Sequence, residues 1–156
     1  MGDLDELRSR VEAVRSGYAA LPREGWGEAG PEDERTGERW DRGHVLGHVA
    51  EMLPYWTAQV RAVLGGAGEM GRDEVGMANR RMGIDSGREA GEDGLLDRID
   101  AGIEDLLGLL DGMTDADLDR PVTYHSPHED RTATLRQEVE HLLVGHLEEH
   151  LGQAGG

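Results

Sequence analysis

Residues 134–153 read TLRQEVEHLLVGHLEEHLGQ. At about 100° per residue, with Leu135 at zero, Val139 falls at about 40°, Leu142 at about −20°, His146 at about 20° and His150 at about 60°. Such a stripe marks an amphipathic helix, with Thr132 or Thr134 as its cap. His141 falls at about −120°, on the outer face. Two imidazoles therefore lie within an apolar stripe on adjacent turns. Burying them neutral is costly unless their nitrogens find partners. The i, i+4 spacing points both rings the same way, about 6 Å apart, which suits chelation of one metal ion.

Three further segments carry the same periodicity. Leu4, Leu7, Val11, Val14, Tyr18 and Leu21 alternate spacings of three and four, ending at Pro22 and Gly25. Val45, Val49, Met52, Trp56, Val60 and Val63 form a second stripe, capped by Asp41, interrupted by Pro54 and stopped by Gly65-Gly66. Leu96, Ile99, Ile103, Leu106, Leu110 and Met113 form a third. Four helices with one apolar stripe each bury those stripes best as an antiparallel bundle. The expectation is an all-α four-helix bundle, one domain over residues 1–156, with long crossover loops at 22–40, 65–94 and 114–134. The glycine- and charge-rich 65–94 stretch reads as a solvated connector or a lid, with a short helix around Glu74–Arg81. Pro121–Tyr124 reads as a short strand or hairpin.

The 156 residues include 33 acidic and 16 basic side chains, for a formal net charge of −17. That surface repels phosphate backbones and anionic lipids, so no nucleic acid and no membrane partner is expected. There is no cysteine, which excludes disulfides, thiolate metal ligands and a cysteine nucleophile. No apolar run reaches the roughly 20 residues of a membrane span, and MGDLDELRSR lacks the pattern of a secretory signal. A cytoplasmic protein is the expectation. Every basic residue is arginine, a bias that fits a GC-rich genome and weakens any single arginine as a functional clue.

The second stripe supplies a third imidazole. Relative to Val45, His48 lies at about −60°, inside the inward arc, and His44 at about −100°, at its edge. Three neutral imidazoles plus water form the open type of zinc site rather than the closed structural type. Imidazole also accepts nickel, iron or cobalt, so zinc comes first without excluding those. Glu149, at about −40°, reads either as an acceptor for a histidine N–H and a proton acceptor or as a rim glutamate facing water. Tyr55 and Trp56 read as packing residues, with Tyr55 also a candidate for the pocket wall. Arg72, Arg80, Arg81 and Arg88 are candidates to clamp an anionic substrate or cofactor. His125 and His128 read as surface residues.

At these residues the sequence resembles the DinB family of four-helix metalloenzymes. WDRGHVLGHVAEMLPYW resembles that family's second helix, GMTDADLDRPV the link between its third and fourth, and TLRQEVEHLLVGHLEEHLGQ its closing segment. The match runs from about Leu4 to Gln153. The resemblance implies metal ligands at His48, His146 and His150. Relatives include bacillithiol and mycothiol S-transferases and the N-terminal domain of mycothiol-dependent maleylpyruvate isomerase, whose extra C-terminal domain the resemblance does not include. It therefore implies metal-dependent chemistry on small-molecule substrates with an external low-molecular-weight thiol. It equally admits a non-catalytic, stress-associated binding protein whose metal is structural. Members often pair through helix faces, so a homodimer is compatible with the resemblance.

Overall fold

The structure is a computed structural model and describes residues 2–23, 42–127 and 129–155. The expected cap at Asp41, most of the 22–40 connection and His128 lie outside the described residues, as does the side chain of Arg88. The elements run α1 (Asp3–Ala19), α2 (Arg42–Leu64), β1 (Glu69–Gly71), α3 (Glu74–Glu89), α4 (Gly91–Asp111), α5 (Asp115–Leu118), β2 (Pro121–His125), β3 (Asp130–Thr134) and α6 (Leu135–Val139). A π-helical turn, Glu140–Val144, then joins α6 to α7 (Gly145–Gly155). No helix among the described residues is long and apolar enough to cross a membrane.

The four stripes become α1, α2, α4 and the α6–α7 rod, and their apolar residues form one core. Val11, Val49, Met52, Val60, Ile99, Ile103, Leu106, Leu135 and Val139 have no solvent exposure. α2 packs against both α3 and α4, and α1 against α4 and α7. Tyr18 of α1 donates a buried hydrogen bond of 2.7 Å to the Leu147 carbonyl, fixing α1 against α7. Arginine–carboxylate pairs line the seams: Arg15 with Asp100, Arg10 with Glu140 and Glu148, Arg61 with Asp105. Such exposed pairs contribute at most about 1 kcal/mol each, so they set register more than stability. At Thr134 the side chain accepts from the Gln137 N–H while the Gln137 side chain accepts from the Thr134 N–H, a capping box that starts α6.

Two of the expected long loops are instead ordered structure. The 65–94 stretch contains β1 and the 16-residue helix α3, twice the length of the short helix expected there. Its glycines permit close helix contact as well as turns. A Cβ on Gly83 would lie 2.9 Å from Glu51 Cγ, and one on Gly47 of α2 would lie 3.1 Å from the Ile84 carbonyl oxygen. Small residues let two backbones approach, and Ile84 is buried in the seam. Asp73 starts α3 by accepting from the Gly76 N–H at 2.7 Å. The 114–134 stretch contains α5 and the β2–β3 hairpin, bearing out a strand at Pro121–Tyr124. β2 is central in a three-stranded sheet, parallel to β1 and antiparallel to β3. At Gly71, φ is +147° and a Cβ would collide with the His125 carbonyl, so only glycine fits this close strand crossing.

Candidate metal centre

His48 from α2 and His146 and His150 from α7 meet in the interior. His48 and His150 are each 6% exposed, and His146 is half-buried. Ring centroids lie 4.8 Å apart for His48–His150, 5.4 Å for His146–His150 and 6.1 Å for His48–His146. One ring nitrogen from each lies within 4.8 Å of the others, an arrangement able to hold a metal ion.

The chemistry of the donors fits such an ion. His150 Nδ1 is 2.7 Å from Gln153 Oε1. An amide oxygen only accepts, so this contact assigns the proton to Nδ1 and leaves a lone pair on the buried Nε2. The buried Nδ1 of His146 meets no acceptor in hydrogen-bond geometry, although the Leu142 carbonyl one turn back is close enough to favour its proton. Burial pushes all three rings toward the neutral, ligating form. His48 is driven well below the usual imidazole range by burial, then by His150 and Arg80. His146 is lowered to about 4 by burial, then by His150 and His141. His150 is lowered by burial, against the opposing pull of Gln153 and Glu149.

The π turn alters the helical arithmetic for every residue after it. One extra residue in a turn sets the following side chains back by about 100°. Leu147 and Ala154 then swing from the flank to the centre of the buried stripe, and both are fully buried. His146 and His150 move from the centre to the edge that faces α2. Glu149 moves from the inward arc to the outer face and is exposed, as a rim glutamate facing water would be. His141 is exposed as expected. It is nevertheless not remote from the site, since its ring lies 5.9 Å from that of His146. Both rings, with Arg10, Gln137, Glu140 and Glu149, line an open cavity of about 430 Å³.

The arginine candidates separate. Arg72 is buried and bidentate to Glu51 at 2.6 and 3.0 Å, with its guanidinium 3.9 Å above the Tyr55 ring. It is committed to structure, which corrects the expectation that it could clamp an anion. Tyr55 is correspondingly a packing residue, its hydroxyl donating to the Gly71 carbonyl. Arg80 is half-buried, and its positive charge disfavours protonation of His48, His146 and His150 alike. Arg81 faces solvent. His125 is a surface residue held between Asp130 and Glu69 at 2.9 and 3.3 Å. Sequence reasoning missed the role of Gln153. Its i, i+3 spacing from His150 was the available signal.

A family model described as the DinB superfamily matches residues 31–154. The chain belongs to that superfamily. No curated protein and no solved structure matches it.

Proposed function

We propose, for this DinB-superfamily chain, a metal-dependent enzyme acting on small molecules, with His48, His146 and His150 as the ligands of one divalent ion and an external low-molecular-weight thiol as co-substrate. The observation that carries the reading is the convergence of three imidazoles from two helices, two buried and one half-buried, with ring nitrogens within 4.8 Å of one another. Three neutral nitrogens leave a coordination position for an exogenous ligand, and imidazole suits zinc first, then nickel or iron. A divalent ion held there supplies a lowered pKa to a thiol or water that binds it.

The chain's own residues do the rest. Gln153 holds the His150 ring with its lone pair directed away from the amide. Burial keeps the three imidazoles unprotonated near neutral pH. Arg80 places positive charge beside the centre, which favours an anionic ligand over a neutral one. Glu149 stands in the wall of the cavity that reaches His146, where it is available to a proton on a ligand that enters. The chain has no cysteine, so a thiol must come from outside.

Elemental analysis of the purified protein, paired with thiol-dependent consumption of monochlorobimane, tests this reading. About one divalent ion per chain, and turnover that needs both the ion and an added thiol, are expected. Bound metal without turnover for any thiol–electrophile pair would favour the structural role of the metal instead. Absence of metal after reconstitution with zinc, nickel or iron would end both.

A further inference from the structure

The turn between α6 and α7 is π-helical over Glu140–Val144, separated by Gly145 alone from the first histidine of the pair. Its closing hydrogen bond runs from the Gly145 N–H to the Glu140 carbonyl, five residues back. Gly145 has ordinary helical dihedrals, φ −64° and ψ −38°, so no backbone strain demands glycine there. The demand is steric. A Cβ on Gly145 would lie 2.8 Å from the Glu140 carbonyl oxygen, closer than a carbon can approach a backbone atom that has no freedom to turn aside. The same turn buries Leu142, Leu143 and Val144 together, which a straight α-helix cannot do with one face.

We propose that Gly145 is a positioning residue for the metal centre: it permits the wide turn that sets His146 and His150 on the edge facing His48. This inference rests on the reading of the three histidines as ligands. Without the turn, and with the chain length unchanged, the residues after it advance by about 100° relative to α6. Leu147 and Ala154 then leave the core as the two imidazoles turn away from α2. Holding α7 in place by the buried Leu147 and Ala154 and the Tyr18–Leu147 hydrogen bond instead presses the added methyl into the Glu140 carbonyl. Either way the donor set loosens.

Cobalt titration tests this, read by affinity and by the visible d–d absorption of the bound ion, which reports coordination geometry independently of any activity. Gly145→Ala should weaken cobalt binding on the order of 10–100-fold, as when a ligand loses the partner that orients it, and should shift or weaken the absorption. A second variant separates positioning from mere instability. Deleting Val144 while keeping Gly145→Ala removes the extra residue, so α6 and α7 can keep their places in one continuous α-helix where alanine is welcome. That double variant should recover cobalt affinity and the wild-type spectrum, and the recovery decides the matter even if Gly145→Ala alone fails to fold. Wild-type affinity in Gly145→Ala overturns the inference, as does a helical double variant that does not regain cobalt. Failure of the wild type itself to bind cobalt is a different result: it removes the three-histidine reading, and the inference falls with it.

Discussion

Gln153 shows how much one side chain contributes to a site it does not enter. A histidine can bind metal through either nitrogen, and its ring can rotate. The contact between His150 Nδ1 and Gln153 Oε1 removes both freedoms. Losing such an outer partner typically costs 10–100-fold in metal affinity, as a rough range. Gln153→Ala should therefore weaken zinc binding by about that factor while leaving the melting temperature of the metal-free protein nearly unchanged. Gln153→Glu, which keeps the acceptor oxygen, should retain most of the affinity. Competition against a colorimetric zinc chelator measures both, and equal affinities in wild type and Gln153→Ala would refute the orienting role. At this scale much was legible in the sequence: His48, His146 and His150 could be picked by angle alone. The angle of Glu149 was not, because it presumed an unbroken α-helix. The clue was in the letters. Leu142, Leu143 and Val144 are three apolar residues in a row, and no straight amphipathic helix buries three in a row on one narrow stripe.

At the scale of elements, the stripes of α1, α2, α4 and the last helix were readable because burial there follows the 3.6-residue period. α3 was only partly readable. Among its described residues it buries few side chains, and its glycines look like loop residues unless the surface of α2 opposite them is known. Gly47 and Gly83 act as a matched pair of shallow places in two helices, and that pairing exists only in three dimensions. What ties the start of α3 down is Arg72, on the link from β1. Its guanidinium lies between the Glu51 carboxylate and the Tyr55 ring, with 4% of the side chain exposed. Removing one member of a buried pair leaves the other charge uncompensated, at a cost of roughly 3–5 kcal/mol. Arg72→Met should therefore destabilise the protein by about that amount in urea unfolding. The double variant Arg72→Met/Glu51→Leu should recover much of the loss, because the orphaned charge goes too. A double variant as unstable as the single one would show that the pair acts through something other than charge burial.

For the whole molecule, the buried imidazoles couple the fold to pH. Each is held neutral in the folded chain and is free to protonate at about 6.5 once unfolded. Between those two values the unfolded state binds more protons, so stability falls as pH falls. For His146 the folded value of about 4 and the unfolded reference of about 6.5 bound the window, and between pH 7 and pH 5 the loss from that ring is on the order of 1–2 kcal/mol, allowing for its partial exposure. Asp100, Asp105 and Asp117 have carboxyls lowered by their hydrogen bonds, so the stability they add is lost only as pH drops below the ordinary carboxylate range. His125 has the opposite sign: Asp130 and then Glu69 raise it, so its contribution is present at low pH and lost as pH rises, and its exposure keeps that contribution small. A bound ion steepens the dependence on acid, since protons compete for the same nitrogens. It also adds on the order of 3–4 kcal/mol when present at 100–1,000 times its dissociation constant. The melting temperature of zinc-loaded protein should therefore drop more between pH 7 and pH 5 than that of protein in excess EDTA, and the two should converge toward pH 5. His146→Asn, which has no ring to protonate and only two imidazoles left, should show a shallower slope and little response to EDTA. Parallel slopes for His146→Asn and wild type, with and without chelator, would mean that the three histidines neither carry the acid sensitivity of the fold nor hold its metal.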